Sequence, residues 1–234
     1  MNAIRPQLDL EPLLKITRID NFSDFHDAVG GVAAECKIFR GVADVESHKL
    51  IPGVGRLSTI QRGNTGLRSY ERSILKQFKQ SALPFLTTRP QTELEWLAIA
   101  QHHGLPTRLL DWSYNPMVAL FFATFAVSNL MCGVYCYRPR DKTIRTSDDI
   151  DPFEIKHVLK FSPDHYSDRI VSQMGLFTVH PEPREELKAT DRLELLTFAP
   201  NVALDLRYAL RRYGFSRASM FPGLDGVSAH VMER

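Results

Sequence analysis

The stretch of sequence that decides the fold is residues 95–126, EWLAIAQHHGLPTRLLDWSYNPMVALFFATFA. It begins as a helix, and Gly104 favours the end of that helix because glycine readily adopts the left-handed conformation found just beyond helix C-termini. Pro106 prevents the helix from continuing, and residues 107–112 alternate enough to predict a short strand. Residues 117–127 are apolar almost all round. This run predicts a buried helix after the strand.

Polar residues occupy the corners of this stretch. Asp111 and Ser113 end the predicted strand, and Ser113 or Asn115 can cap the helix whose first turn holds Pro116. Three polar residues close the first helix: Gln101, His102 and His103. Because functional residues concentrate on connections held by a rigid scaffold, we expect a site at these corners.

The composition is that of an ordinary soluble globular protein. The 234 residues are 44% hydrophobic and 24% charged, and the net charge of +2 neither requires nor excludes a nucleic-acid partner. The three cysteines (Cys36, Cys132 and Cys136) are an odd number without metal-ligand spacing, which favours a reducing compartment. The longest apolar run is too short to cross a bilayer, and the first residues lack a signal core. We expect a cytoplasmic protein without a membrane partner.

Outward from the central stretch, strands are predicted to alternate with single helices. Towards the N-terminus we predict a helix over 21–36 broken at Gly30-Gly31, a strand over 37–42, a loop over 54–66 and a helix over 69–78. Towards the C-terminus we predict strands over 133–138, 156–161, 169–179 and 193–199, and a helix over 202–213. Residues 139–151 have the composition of a charged linker, and residues 1–20 that of a lead-in. The pattern predicts a single α+β domain over residues 21–234, with a mixed or antiparallel sheet flanked by helices.

Single residues leave several chemistries open. Arg40 precedes a glycine at a strand end and can approach a phosphate or ribose, although a surface arginine beside a turn is the alternative. His102 and His103 are adjacent and cannot share a helix face, and no cluster has zinc-like spacing, so no metal is predicted. Asp111 could pair with Arg108, orient a histidine or cap the buried helix. Ser113 lacks the surroundings of a hydrolase nucleophile elbow.

Several motifs together resemble the FRG domain, a family named for a Phe/Tyr-Arg-Gly signature. They are, in chain order, Phe39-Arg40-Gly41, Leu50-Ile51-Pro52, the blocks at 101–113 and 115–123, the block at 173–180, and the block at 221–226. The resemblance covers roughly residues 22–231. It implies a bacterial protein, often associated with mobile elements or defence.

A more distant similarity is to ADP-ribosyltransferases of the arginine-serine-glutamate type. In that family a strand-end arginine holds NAD, a serine corner precedes an apolar helix, and a later strand carries a catalytic glutamate. The resemblance implies that Arg40 and Ser113 bind NAD, and we group Gly41 and Arg108 with them as NAD-binding candidates. It places Gln173 about where the glutamate would be.

Glutamine cannot act as the carboxylate of that mechanism, so His102 or Asp111 is the candidate base beside Gln173. We therefore expect an NAD-dependent ADP-ribosyltransferase-like enzyme, a toxin or phage-defence effector that modifies nucleic acid or protein. An antitoxin or chaperone protein could then be its partner. The alternative is a non-catalytic module that binds a nucleotide or a phage component. A nuclease is a third reading, although no carboxylate cluster for magnesium is visible in the sequence.

Overall fold

The strands form a mixed sheet of eight in the computed structural model, which describes residues 14–30, 37–58, 64–126, 129–140, 142–148, 150–164, 168–188 and 192–233. They are β1 (Lys15–Ile19), β2 (Ile38–Val42), β3 (Leu109–Ser113), β4 (Cys132–Tyr137), β5 (Ile144–Arg145), β6 (Leu159–Ser162), β7 (Gly175–Val179) and β8 (Leu193–Phe198). Their order across the sheet is β1-β8-β4-β2-β3-β7-β6-β5. The β1–β8 and β5–β6 pairs are parallel, and the other neighbours are antiparallel. The predicted α+β class with a mixed sheet is confirmed.

The helices flank this sheet. They are α1 (Phe22–Val29), α2 (Asn64–Ala82), α3 (Glu93–His102), α4 (Pro116–Thr124), α5 (Asp168–Ser172), α6 (Pro200–Arg212), α7 (Arg217–Met220) and α8 (Leu224–Met232). Helices α1, α4 and α6 share one buried apolar cluster with Phe39 of β2 and Phe198 of β8. Helices α2 and α3 share a second cluster with Leu109 of β3 and Phe177 of β7. Within the described ranges, no helix is both long enough and apolar enough to cross a membrane.

The opposite face of the central strands carries a third cluster. Ile38 and Val42 of β2 pack there with Leu110 and Trp112 of β3, because alternate side chains of a strand point to opposite faces. Leu50, on the connection between β2 and α2, belongs to the same cluster. The sheet is therefore covered by helices on one face and by irregular segments on the other.

Local signals set the ends of α3 and α4 as the sequence predicts. Gly104 has φ +87°, and the main-chain N–H groups of Gly104 and Leu105 donate to the oxygens of Gln101 and Ala100, which is the Schellman arrangement. Asn115 caps α4, since its Oδ1 accepts a hydrogen bond from the Met117 N–H at 2.9 Å. The two polar corners are thus fixed turns.

Gly41 allows α4 to lie directly against β2. A Cβ atom at this position would lie 1.9 Å from the main-chain oxygen of Ala119 and 2.6 Å from the nitrogen of Ala123. Both atoms belong to the α4 backbone, which cannot move aside as a flexible side chain can. The glycine is therefore needed for packing, whatever else it contacts.

Three segments differ from the sequence prediction. Residues 15–19, which we assign to the lead-in from sequence, form β1 and pair with β8. Residues 144–145, inside the predicted linker, form β5. Residues 168–172, predicted in part as strand, form the helix α5, because five residues are too few to show a helical period and Ile170 and Val171 favour strand.

Several predictions fall partly outside the described residues. They are the lead-in over 1–20, the helix over 21–36 with its break at Gly30-Gly31, the loop over 54–66 and the linker over 139–151. Cys36 lies outside the described residues altogether. Cys132 and Cys136 are described, and both are buried free thiols.

Candidate functional site

Strands β2 and β3 meet at a single pair of residues and then separate. Phe39 pairs with Ser113, and the register continues no further between the described residues of the two strands. Beyond this pair, Nη1 of Arg40 donates a hydrogen bond to the main-chain oxygen of Asp111 at 2.8 Å. A side chain therefore bridges the strands where a ladder hydrogen bond is missing, and a cavity of about 420 Å³ opens there.

The cavity is strongly cationic. Its wall includes five basic side chains: Arg40, His48, Lys49, Arg56 and Arg169. Asp111 is the one acidic residue among the described residues that line it. Other parts of the wall are Gly41, Gln101, Ser113 and Gln173, with Val118, Ala119 and Phe122 of α4. Such a balance of charge favours an anionic ligand.

The surroundings of Arg40 disfavour its charged form. Its side chain is 19% exposed, and Nη1 lies 3.7 Å from Oδ2 of Asp111, whose side chain is 58% exposed. Burial lowers the pKa of Arg40, the Asp111 carboxylate opposes this effect, and the Arg56 charge reinforces it. The buried Nε has no hydrogen-bond partner among the described residues. A bound anion would supply the compensation that this guanidinium lacks.

Gln101 orients the Asp111 carboxylate. Its Nε2 donates to Oδ2 of Asp111 at 3.1 Å, and its Oε1 accepts a hydrogen bond from the Thr107 hydroxyl at 2.8 Å. Of the roles that the sequence left open for Asp111, the structure shows neither pairing with Arg108 nor capping of α4: the carboxylate lies 3.7 Å from Nη1 of Arg40, and Asn115 caps the helix.

Ser113 and Gln173 are brought together at the edge of the cavity. The Ser113 hydroxyl donates to the main-chain oxygen of Gln173 at 2.7 Å and accepts from the Asn115 N–H at 2.9 Å. Nε2 of Gln173 donates to the main-chain oxygen of Met220 at 2.9 Å. Ser113 thus joins the end of β3 to the turn before β7, and its proton is already committed.

Arg108 does not reach the cavity, which corrects its grouping with the ligand-binding residues. Its side chain is 1% exposed, and Nε and Nη2 donate to Oε2 of Glu71 at 3.0 and 2.8 Å. Nη1 donates to the main-chain oxygens of Pro152 (3.0 Å) and His180 (3.3 Å). Arg108 therefore ties α2 to the segments before β6 and after β7. Its role is structural.

His102 lies beside the site but is not among the residues that line the cavity. Its ring packs edge-on against His103, with centroids 4.9 Å apart. Burial lowers its pKa, and the nearby His103 and Arg169 lower it further. These effects favour the uncharged imidazole, and the Asp111 charge opposes them.

Sequence reasoning missed the basic residues of the loop between β2 and α2. His48, Lys49 and Arg56 flank Leu50-Ile51-Pro52, and the loop is fixed over the sheet by hydrogen bonds. The Leu187 N–H donates to the Leu50 oxygen at 3.0 Å, and the Leu50 N–H donates to a Glu186 carboxylate oxygen at 3.3 Å. The signal that could have identified them is their position on either side of the Leu50-Ile51-Pro52 motif.

Metal ligands are not grouped in the described residues: no three His, Cys, Asp or Glu side chains are placed to hold a metal ion there.

The model of the FRG domain family matches residues 35–129, which hold β2, β3 and α4 and with them Arg40, Gly41, Asp111 and Ser113. No curated protein and no solved structure matches the chain significantly, so the similarity to ADP-ribosyltransferases stays a prediction. Residues 35–129 of this chain are an FRG domain.

Proposed function

We propose that the cavity binds NAD and that the protein transfers ADP-ribose from NAD to a macromolecular acceptor. The observation that carries the proposal is the meeting of Arg40, Asp111, Ser113 and Gln173 around one cationic cavity. These residues come from three distant stretches of the sequence, and the cavity volume lies in the usual range for small-molecule sites.

The diphosphate of NAD fits the cationic wall. Lys49 and Arg56 line it beside Arg40, whose side chain is mostly buried and lies 3.7 Å from the Asp111 carboxylate. A phosphate oxygen gains more from a poorly solvated guanidinium than from one in bulk water. Arg40 is accordingly the residue on which NAD binding depends most.

Asp111 would supply the carboxylate for the chemical step. The nicotinamide–ribose bond breaks and nicotinamide leaves with its electron pair, so positive charge develops on the ribose, where a carboxylate stabilises it. The acceptor group forms the new bond to the ribose and gives up its proton, which Asp111 can take. Gln173 is neutral and has no such capacity, and Gln101 holds the Asp111 carboxylate in place.

The acceptor is a nucleic acid or a protein, and the role that the family resemblance favours is that of a cytoplasmic toxin or phage-defence effector. An antitoxin or chaperone protein would then restrain it. A non-catalytic nucleotide-binding module is the second candidate. It is favoured by the neutral Gln173, which stands where the resemblance implies a catalytic glutamate.

Nicotinamide release and NAD affinity of the purified protein test the proposal, with cell lysate as the source of acceptors. Arg40→Ala should lose NAD binding, whereas Arg18→Ala, which removes an exposed arginine of β1, should behave as the parent. Asp111→Asn should keep NAD binding and lose turnover by about 100-fold or more, the usual contribution of a general base.

The outcomes separate the two candidates. NAD binding without nicotinamide release, in the presence of lysate, favours the binding module. An Arg40→Ala protein that consumes NAD at the parental rate contradicts the proposed site.

A further inference from the structure

Gln173 is held from two sides by parts of the chain that are distant in sequence. Its main-chain oxygen accepts the hydrogen bond of the Ser113 hydroxyl at 2.7 Å, and its side-chain Nε2 donates to the Met220 oxygen at 2.9 Å. Ser113 ends β3 and Met220 ends α7. Both the main chain and the side chain of Gln173 are therefore fixed.

The Met220 oxygen decides which way the amide points. A main-chain oxygen can only accept hydrogen bonds, so the NH₂ group of Gln173 has to face it. Oε1 must then point away from Met220, and it accepts no hydrogen bond from the described residues. Because Gln173 lines the cavity, this free oxygen is available to a ligand there.

Met220 is itself held in place by the residues around it. Its side chain is buried, and α7 begins with a capping box between Ser216 and Ser219. The next residue, Phe221, packs its ring against three aromatic rings of the α4 region: Phe121, Phe122 and Phe125. Arg169, another cavity residue, stacks over the Phe221 ring at 4.9 Å. The last residue of α7 and the residue after it thus position two side chains of the cavity, Gln173 and Arg169.

We propose that Gln173 is a specificity residue whose Oε1, oriented by the Met220 oxygen, accepts a hydrogen bond from an uncharged donor of the ligand, a ribose hydroxyl or an amide N–H. The inference rests on the proposed function in taking that ligand to be a nucleotide. It also explains why an amide occupies the position where the resemblance has glutamate. A carboxylate has only acceptor oxygens, and one of them would face the Met220 oxygen without a proton between them.

Calorimetric titration with NAD, ADP-ribose and inorganic pyrophosphate tests the inference on the whole chain. Gln173→Met keeps the length of the side chain and removes its hydrogen bonds. It should bind NAD and ADP-ribose about tenfold more weakly, the cost of one hydrogen bond, while its affinity for pyrophosphate stays unchanged. A purely structural role would weaken all three ligands together or none.

Thermal unfolding supplies the second readout. Gln173→Glu should melt no higher than Gln173→Met, whereas the same charge change at Gln77, exposed on α2, should leave the melting temperature unchanged. A Gln173→Glu protein with parental melting temperature and parental affinity for NAD overturns the inference.

The failures of the two proposals are distinguishable. Equal NAD affinity of the parent and Gln173→Met, with turnover intact, overturns the role of Gln173 and leaves the proposed function standing. Selective loss of ADP-ribose affinity in Gln173→Met, in a protein that never releases nicotinamide, supports Gln173 and overturns the enzyme. A parent that binds none of the three ligands overturns both.

Discussion

Gly41→Ala should destabilise the protein more than any ordinary glycine-to-alanine change in a strand. The added Cβ would lie 1.9 Å from the Ala119 oxygen, whereas real Cβ atoms stay beyond 3.0 Å, so β2 and α4 must move apart by about 1.1 Å. Overpacking of a core costs about 1–3 kcal/mol, and this clash is between two backbones, so we expect about 3 kcal/mol. For a chain of this size, that lowers the melting temperature by about 6–12 °C.

Gly175→Ala is the matched control. Gly175 also lies in a strand, opposite Ser113, and a Cβ there would come no closer than 3.6 Å to another atom, which is ordinary contact. Thermal unfolding of both variants measures the difference, and pyrophosphate titration reports on the cavity, since α4 forms part of its wall. Melting temperatures of the two variants within 2 °C of each other, a window of about 1 kcal/mol, would refute the packing argument.

Three further predictions concern buried groups. Glu71→Gln leaves the Arg108 charge buried without a counter-charge and should lower the free energy of unfolding by about 3–5 kcal/mol in urea denaturation; an unchanged midpoint would mean that water reaches Arg108. Burial, with the charges of Arg40 and Arg108, lowers the pKa of His180 to about 3. Below about pH 6.5, His180 therefore binds a proton in the unfolded chain but stays unprotonated in the folded state. The free energy of unfolding should therefore fall by about 1.4 kcal/mol per pH unit from about pH 6 to pH 4, and His180→Gln should remove that part of the slope. Burial raises the pKa of Cys132 to about 11 and that of Cys136 to about 12, so at pH 8 iodoacetamide should label them only after unfolding, as peptide mass spectrometry would show.

The elements with strong local signals could be predicted from sequence. The end of α3 at Gly104 and the start of α4 at Asn115 are decided by residues within one turn of each boundary, and the structure has both. Strand β1 and helix α5 could not be predicted in this way. Each has five residues, and β1 is defined by its pairing with β8, almost 180 positions later.

The candidate site likewise contains residues that the sequence could predict and partners that it could not. Arg40, Asp111 and Ser113 follow from motifs, and the structure brings them to one cavity. The partner of Arg108 could not be predicted from its neighbours, because Glu71 lies 37 positions earlier, on α2. The orientation of Gln173 depends likewise on Met220, 47 positions later. Contacts between residues this far apart produce no periodic pattern in the sequence.

The sheet order β4-β2-β3-β7 has a consequence for the expression of parts of the chain. Both strands of the FRG match, β2 and β3, have their outer neighbours beyond residue 129. A recombinant fragment of residues 35–129 would leave the outer edges of both strands unpaired, and exposed edges of apolar strands promote self-association. The stretch that the family model matches is thus smaller than the sheet to which its strands belong. A fragment cut to residues 35–129 should therefore be recovered as insoluble protein.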